Sequence, residues 1–258
     1  MLAETRRREI AETLRSAGAV SVAEVESRFG VSAMTARRDL ADLERRGMVR
    51  RTHGGAVLPT ASAHEDSFAR RLAADAQAKQ RLAEVATAGL SPGETVFLDS
   101  STTSYFVARR LAESGLAATV LTNSLPIMEL VFEEGQNLEL INVGGSLRRL
   151  TRSFVGPAAV RTIGTYFADR LFLSVKGITE AGALTDADPL EAEVKRAMID
   201  QAGESSVLVD ASKFGVRALS VIASTADVSR VLTYGLSEAQ AATLRSAGAA
   251  VSDIPADG

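Results

Sequence analysis

SVAEVESRFGVSAMTARRDLADLERRGMVRRTHGGAV, residues 21–57, decides how the amino-terminal part of the chain folds. Ser21 and Glu24 form an S-x-x-E capping box, with Val22, Val25 and Phe29 as the apolar positions behind it. Gly30 ends this first helix, because glycine tolerates the positive φ of a C-cap. Ser32 caps a second helix that runs to about Arg46, where Gly47 stops it. At about 100° per residue, Ala36, Leu40 and Leu43 share one stripe that packs inward. Arg38 lies nearly opposite, Met34 and Thr35 stand beside it, and Arg37 sits on the flank. After Gly47 the run Met48–Val57 reads as two short strands whose return the paired glycines permit. Two helices, a tight turn and a basic hairpin make a winged helix-turn-helix, the layout that places one helix in a DNA major groove. Met34, Thr35 and Arg38 would meet base edges, with Arg37 better placed for a phosphate, and Ser32 at the cap completes the DNA-binding set on this helix. Arg50, Arg51 and His53 on the narrow hairpin suit phosphate or minor-groove contact. Charge runs on isolated helices are usually solvated faces, but here cap, turn, stripe and hairpin occur together.

The run Val31-Ser32, Thr35-Ala36-Arg37-Arg38-Asp39-Leu40, Leu43-Glu44, Gly47 and His53-Gly54-Gly55-Ala56 resembles the signature of DeoR-type transcriptional regulators of bacterial sugar metabolism. One departure is Glu26, where such segments usually carry a small residue facing the recognition helix.

Composition bounds the rest. At 258 residues, 46% of them hydrophobic, the chain suits a small module plus a larger one with a real core. There is no uninterrupted apolar run of membrane-spanning length, and the arginines of Met1–Arg8 lack the apolar stretch of a signal peptide. The expectation is a cytoplasmic protein with no membrane partner. Zero cysteines exclude disulfides and thiolate chemistry, and two histidines, His53 and His64, argue against a histidine-rich metal centre. No cofactor or metal is expected. Net charge is −3, but residues 1–58 hold eleven arginines against eight acidic residues, so +3 at the head leaves −6 for the remainder. A basic head on an acidic body suits a DNA-binding module fused to a sensor.

The domain reading is 1–58 for the winged helix-turn-helix, whose first helix spans Thr5–Ser16 with Ile10 and Leu14 inward. Residues 59–74 follow as linker and 75–258 as an α/β domain. A helical pattern covers Phe68–Gly89. From Pro92 onward, strand candidates Thr95–Leu98, Thr119–Leu121, Leu138–Val143, Arg170–Val175, Ser206–Val209 and Arg230–Leu232 alternate with helical segments such as Ser104–Glu113, Leu190–Ala202 and Ser237–Ala247. That alternation implies a parallel sheet covered on both faces, whose ligands bind at the carboxyl ends of the strands.

Polar clusters follow the strands at that edge. Asp99-Ser100-Ser101-Thr102-Thr103 opens a helix, where hydroxyls and N–H groups suit an anion. Asp99 itself would repel phosphate and is assigned to sugar hydroxyls. Thr122-Asn123-Ser124 and Gly144-Gly145-Ser146 follow the next two strands, the glycines either letting amides approach a ligand or simply turning the chain. Lys213, in Asp210–Gly215, is the candidate counter-charge. Lys195 lies four residues after Glu191, so a solvated i,i+4 pair is the favoured reading there. Only four lysines, Lys79, Lys176, Lys195 and Lys213, stand against twenty-five arginines.

The resemblance extends over this part too, through Lys79, the D-x-S-T-T run at Asp99, Thr122-Asn123-Ser124, Gly144-Gly145, Gly156, Glu193–Met198 and Ser212-Lys213-Phe214. Lys176 and Tyr234 depart from it. It implies a Rossmann-like parallel-sheet sensor domain similar to ribose-phosphate isomerases and CoA transferases, sensing phosphorylated sugars or related metabolites. An isomerase-like enzyme with an appended DNA-binding head is the alternative. It is disfavoured because Lys176–Glu180 lacks the paired aspartates such isomerases present, and because no nucleophile elbow, phosphate loop or metal cluster occurs. The expectation is a repressor, not an enzyme, that acts as a homo-oligomer, dimer or tetramer. Its partners would be a double-stranded DNA operator and a phosphorylated sugar.

Overall fold

The computed structural model describes residues 3–17, 19–45, 49–52, 54–57 and 67–255. The chain divides into two compact units, Met1–Ser67 and Phe68–Gly258.

In the first unit, α1 (Ala3–Ala17), α2 (Val22–Phe29) and α3 (Ala33–Arg45) surround a core in which Ile10, Leu14, Val25, Ala36 and Leu40 are fully buried. Each end is set locally. Ser21 Oγ accepts from Glu24 N–H while the Glu24 carboxylate accepts from Ser21 N–H, and Gly30 adopts φ 62° at the end of α2. Ser32 Oγ caps α3 by accepting from Thr35 N–H at 3.4 Å. The expected stop of α3 at Gly47 lies outside the described residues. Glu26, the departure noted above, is only partly buried on α2.

The wing has three strands, not the two expected. β1 (Ala19–Ser21), β2 (Arg50–Thr52) and β3 (Gly55–Val57) form an antiparallel sheet with β3 in the centre. A Cβ on Gly55 would sit 2.1 Å from the Val20 carbonyl oxygen. This glycine therefore serves the close approach of β3 to β1.

The second unit opens with α4 (Phe68–Ala73) and α5 (Ala76–Thr87). Residues 68–73 belong to the stretch read as linker. They form a helix whose buried Phe68 meets the Tyr105 ring edge-on at 5.8 Å. Residues 59–66 lie outside the described residues. Then come β4 (Thr95–Leu98), α6 (Thr102–Ser114), β5 (Ala118–Thr122), α7 (Leu125–Glu134) and β6 (Leu138–Asn142), followed by a hairpin of β7 (Ser146–Arg148) and β8 (Ser153–Val155). The chain continues through α8 (Pro157–Ile163), β9 (Ala168–Leu173), β10 (Gly177–Ile178), β11 (Ala183–Asp186), α9 (Pro189–Asp200) and β12 (Ala202–Asp210). It ends with β13 (Ser220–Ser224), β14 (Arg230–Tyr234), α10 (Glu238–Ser246) and β15 (Val251–Ile254).

Seven strands make one parallel sheet in the order β15-β14-β12-β9-β4-β5-β6. All six expected strands are in it, and β15 is an additional edge. Apolar side chains fill both faces, with Phe97, Leu121 and Leu171 in one core and Val96, Leu98 and Phe172 in the other. That two-sided burial explains their nearly continuous apolar runs. A small antiparallel sheet, β10-β11-β13, flanks the main one. From β4 the order grows through β5 and β6 on one side and through β9, β12, β14 and β15 on the other. The topological switch point therefore lies between β4 and β9, where doubly wound sheets open a ligand crevice. Among the described residues no helix is long and apolar enough to cross a membrane.

Candidate functional site

On α3 the structure separates two faces. Ala36, Asp39, Leu40 and Leu43 are buried, while Ser32, Met34, Arg37 and Arg38 are exposed and Thr35 is half-buried. Met34, at 79% exposure, is an apolar side chain held out in water. Two acidic residues of the helix, Asp39 and Asp42, are held in ion pairs with arginines. Asp39 accepts from Arg6 Nε at 2.6 Å and Arg7 Nε at 2.9 Å, and Asp42 pairs with Arg7 at 2.8 Å and Arg45 at 2.6 Å. What remains outward is Met34 with Arg37 and Arg38, a basic surface on the second helix of a helix-turn-helix. β2 carries Arg50 and Arg51 in its backbone, but their side chains, and His53 altogether, lie outside the described residues.

In the second unit, the residues singled out from sequence gather at the carboxyl edge of the sheet. Asp99 follows β4 and is fully buried. Its Oδ1 accepts from Ser101 N–H at 3.1 Å and from the hydroxyls of Ser101 and Ser104 at 2.6 Å each. Its Oδ2 accepts from Ser174 N–H at 3.2 Å and lies 3.4 Å from Lys195 Nζ. Both oxygens are spent inside the protein. The expected role on sugar hydroxyls is therefore corrected: Asp99 ties β4 to β9 across the switch point and fixes the opening of α6.

Ser101 caps α6 through its Oγ, which accepts from Ser104 N–H. Ser100 Oγ donates to Glu191 at 3.0 Å, Thr102 Oγ1 donates to the Arg71 carbonyl at 3.4 Å, and Thr103 is buried in the first turn. Thr122 Oγ1 donates to the Leu98 carbonyl at 2.7 Å, joining β5 to β4. Asn123 is 1% exposed. Gly144 and Gly145 adopt φ of 68° and 115°; Gly144 N–H donates to Asn142 Oδ1, and a Cβ on Gly145 would press on the Val155 carbonyl at 2.6 Å. Their turn geometry accounts for both glycines.

Lys195 and Glu191 are not a solvated pair, which corrects the favoured reading of that helix. Lys195 Nζ is buried and donates to Asp186 Oδ2 at 2.6 Å and the Ser174 carbonyl at 2.8 Å. Glu191, 1% exposed, accepts from Ser100 Oγ, Ser153 Oγ and Arg148, whose Nη1 lies at 2.8 Å. Burial disfavours the Lys195 ammonium, but Asp186, Asp99 and Glu191 more than reverse this and raise it above an ordinary lysine. Burial likewise pushes Asp186 up, and the Lys195 charge with the N–H groups of Ala187 and Asp188 overrides it, holding the carboxyl below the usual range. Lys195 and Asp186 thus form a buried ion pair that joins α9 to β11.

The positive character of this edge comes from elsewhere. Asp210 Oδ1 accepts from Ser212 N–H at 2.9 Å and caps the turn after β12 that presents half-buried Lys213. Lys79, on α5, donates from Nζ to the carbonyls of Arg71 and Ala74. Burial depresses its pKa; Asp75 and Asp210 oppose this, and the nearby charges of Lys213 and Arg71 add to it. Lys213 and Arg71 close enough to act on Lys79, with the Arg71 carbonyl held by Thr102 at the opening of α6, suit an anion. Lys79 and Arg71 were absent from the candidates for this edge. Lys79 could have been found, since it is one of only four lysines. A groove of about 650 Å³ at the opposite edge is no substitute, since Glu94, Asp169, Asp200 and Glu204 surround Arg170 there and would repel an anion.

Comparison with known proteins agrees with this division. Residues 6–62 match the DeoR-like helix-turn-helix domain and residues 74–234 the DeoR C-terminal sensor domain. The transcriptional regulator YulB of Bacillus subtilis is 33% identical, covering 99% of this chain and 98% of that protein. The regulator GlpR of Haloferax volcanii is 33% identical over 98% of each. The glycerol-3-phosphate regulon repressor of Escherichia coli is 32% identical over 87% of this chain and 88% of its own. Among solved structures, ribose 5-phosphate isomerase A of Methanocaldococcus jannaschii aligns over 55% of each chain at 18% identity, with a TM-score of 0.41.

Proposed function

This chain belongs to the DeoR family of transcription regulators, and we propose that it represses genes of carbohydrate catabolism under the control of a phosphorylated sugar or related metabolite. One observation carries the reading. A domain headed by an outward basic recognition helix is joined in one chain to a sheet whose carboxyl edge crowds Lys79, Lys213 and Arg71 beside the opening of α6. The Escherichia coli relative, named for the glycerol-3-phosphate regulon, supports a phosphorylated polyol or sugar as the controlling ligand.

In this proposal Met34, Thr35 and Arg38 read base edges, and Ser32 and Arg37 hold phosphates. Arg50, Arg51 and His53 add wing contacts. The effector lies at the loops Ser100–Thr103, Thr122–Asn123 and Gly144–Gly145, with Lys213 as counter-charge and Asp99 and Lys195 as the rigid frame beneath. The protein acts as a dimer or tetramer on repeated operator sites. The test is to recover bound fragments from the organism's own DNA and titrate them by fluorescence anisotropy, with and without sugar phosphates. A sugar phosphate should shift operator affinity, and Lys213→Ala should abolish that shift while leaving effector-free affinity intact. If no phosphorylated sugar or polyol shifts the affinity of the wild-type protein, the proposal is withdrawn.

A further inference from the structure

Two polar groups at the carboxyl edge of the sensor sheet are buried and unpartnered: Nε and Nη2 of Arg71, and Oδ1 of Asn123. Burying such groups without a hydrogen bond is costly, so each is a position that a partner from outside the chain can complete.

Arg71 belongs to α4, and its carbonyl accepts from Lys79 Nζ and Thr102 Oγ1, which places the residue against the opening of α6. Its guanidinium lies 5.9 Å from the centre of the Phe68 ring. Nε and Nη2 are the two donors on one edge of the planar fork, and that edge grips two oxygens of a phosphate in parallel. Asn123 follows β5, whose Thr122 stands in register with Leu98 at the end of β4. The orientation of its amide is fixed by chemistry: Nδ2 donates to the Phe154 carbonyl at 3.0 Å, and exchanging N for O would set two oxygens against each other. Oδ1 is therefore an acceptor facing no donor. Asp99, one strand away, has both oxygens filled and cannot serve a ligand hydroxyl.

We infer that Arg71 and Asn123 are the two recognition groups the protein leaves open for its effector, the guanidinium edge for the phosphate and Asn123 Oδ1 for a hydroxyl. This rests on the sugar-phosphate reading above and narrows it. The ligand must present a hydroxyl donor, and a carboxylate in that position would meet Oδ1 acceptor to acceptor. It also places the anion contact on α4, the first described helix in sequence after the wing.

The test is calorimetry on the full-length protein with three kinds of probe: inorganic phosphate, a panel of sugar and polyol phosphates, and their dephosphorylated forms. Arg71→Lys keeps the charge but loses the paired donors, and it should weaken inorganic phosphate and sugar phosphates alike, by about tenfold or more. Asn123→Leu should weaken sugar phosphates by about tenfold and leave inorganic phosphate unchanged. Asn123→Gln, which displaces the acceptor by one methylene, replaces it if the leucine variant fails to fold. Wild-type affinity for sugar phosphates in both variants overturns the inference while leaving the proposed function standing. So does an equal loss for phosphate and sugar phosphate in the Asn123 variant, which would mean general damage and no hydroxyl contact. If the wild-type protein binds no phosphorylated probe, the proposed function fails and this inference with it.

Discussion

Asp39 stands at the i+3 position between Ala36 and Leu43 on the inward stripe of α3, where a carboxylate survives only if it is paired. Arg6 and Arg7 pair it, and so fix the rotation of α3 that turns Arg38 outward. The two neighbours therefore predict opposite phenotypes. Asp39→Ala strands a mostly buried Arg6 and should destabilise the head by about 3–5 kcal/mol, read as an early transition in chemical denaturation. Arg38→Ala should leave stability within about 0.5 kcal/mol and instead lose about 1–3 kcal/mol of operator binding relative to random DNA. Equal stability for the two variants would mean that Asp39 is a spectator. The stripe was legible in the sequence, and so was the outward place of Arg38. The pairing of Asp39 was not, because its partners lie more than thirty residues away and a charged helix looks solvated when read alone. Lys195 and Glu191 misled for the same reason: spacing shows an i,i+4 pair, whereas their partners come from β7, β8, β11 and the loops after β4 and β9.

At the scale of elements, the strands that could be read were those buried on both faces, since an apolar run survives there without alternation. β15, with Ser252 and Asp253 exposed at the sheet edge, carries no such run. The two- to four-residue strands β7, β8, β10 and β11 are too short for any period to show. β1 was missed likewise, and with it the reason for Gly55. The sequence suggested only that paired glycines ease the return of a hairpin; the structure shows that Gly55 makes room for the Val20 carbonyl, while a Cβ on Gly54 would meet nothing within 4 Å. Gly55→Ala should thus cost about 1–3 kcal/mol, the usual penalty of forcing an extra carbon into packed structure, and should weaken DNA binding through the wing. Gly54→Ala should be close to neutral. Denaturation midpoints of the two variants decide it, and similar midpoints would remove the steric argument.

For the whole molecule, alternation of strands and helices predicted a parallel sheet, but the strand order came only from the structure. That order puts the switch point beside Asp99 and Ser174 and so explains why the polar clusters converge there. A sensor built on such an edge controls the DNA-binding head of the same chain only through a difference in the effector's affinity for two states of the protein. A hundredfold preference for one state supplies about 2.7 kcal/mol. Linkage then makes the coupling reciprocal: if a sugar phosphate changes operator affinity by some factor, saturating operator must change sugar-phosphate affinity by the same factor. Calorimetric titration of the effector into free protein and into the protein–operator complex measures one side, and anisotropy titration of operator with and without effector measures the other. Agreement within error is expected for the wild-type protein. If Lys213 is the counter-charge proposed above, Lys213→Ala should bring both factors to one, since the residue is far in sequence from the recognition helix. An effector that changed operator affinity while operator left effector affinity untouched would point to competition or aggregation as the cause, and control through the sensor edge would have to be abandoned.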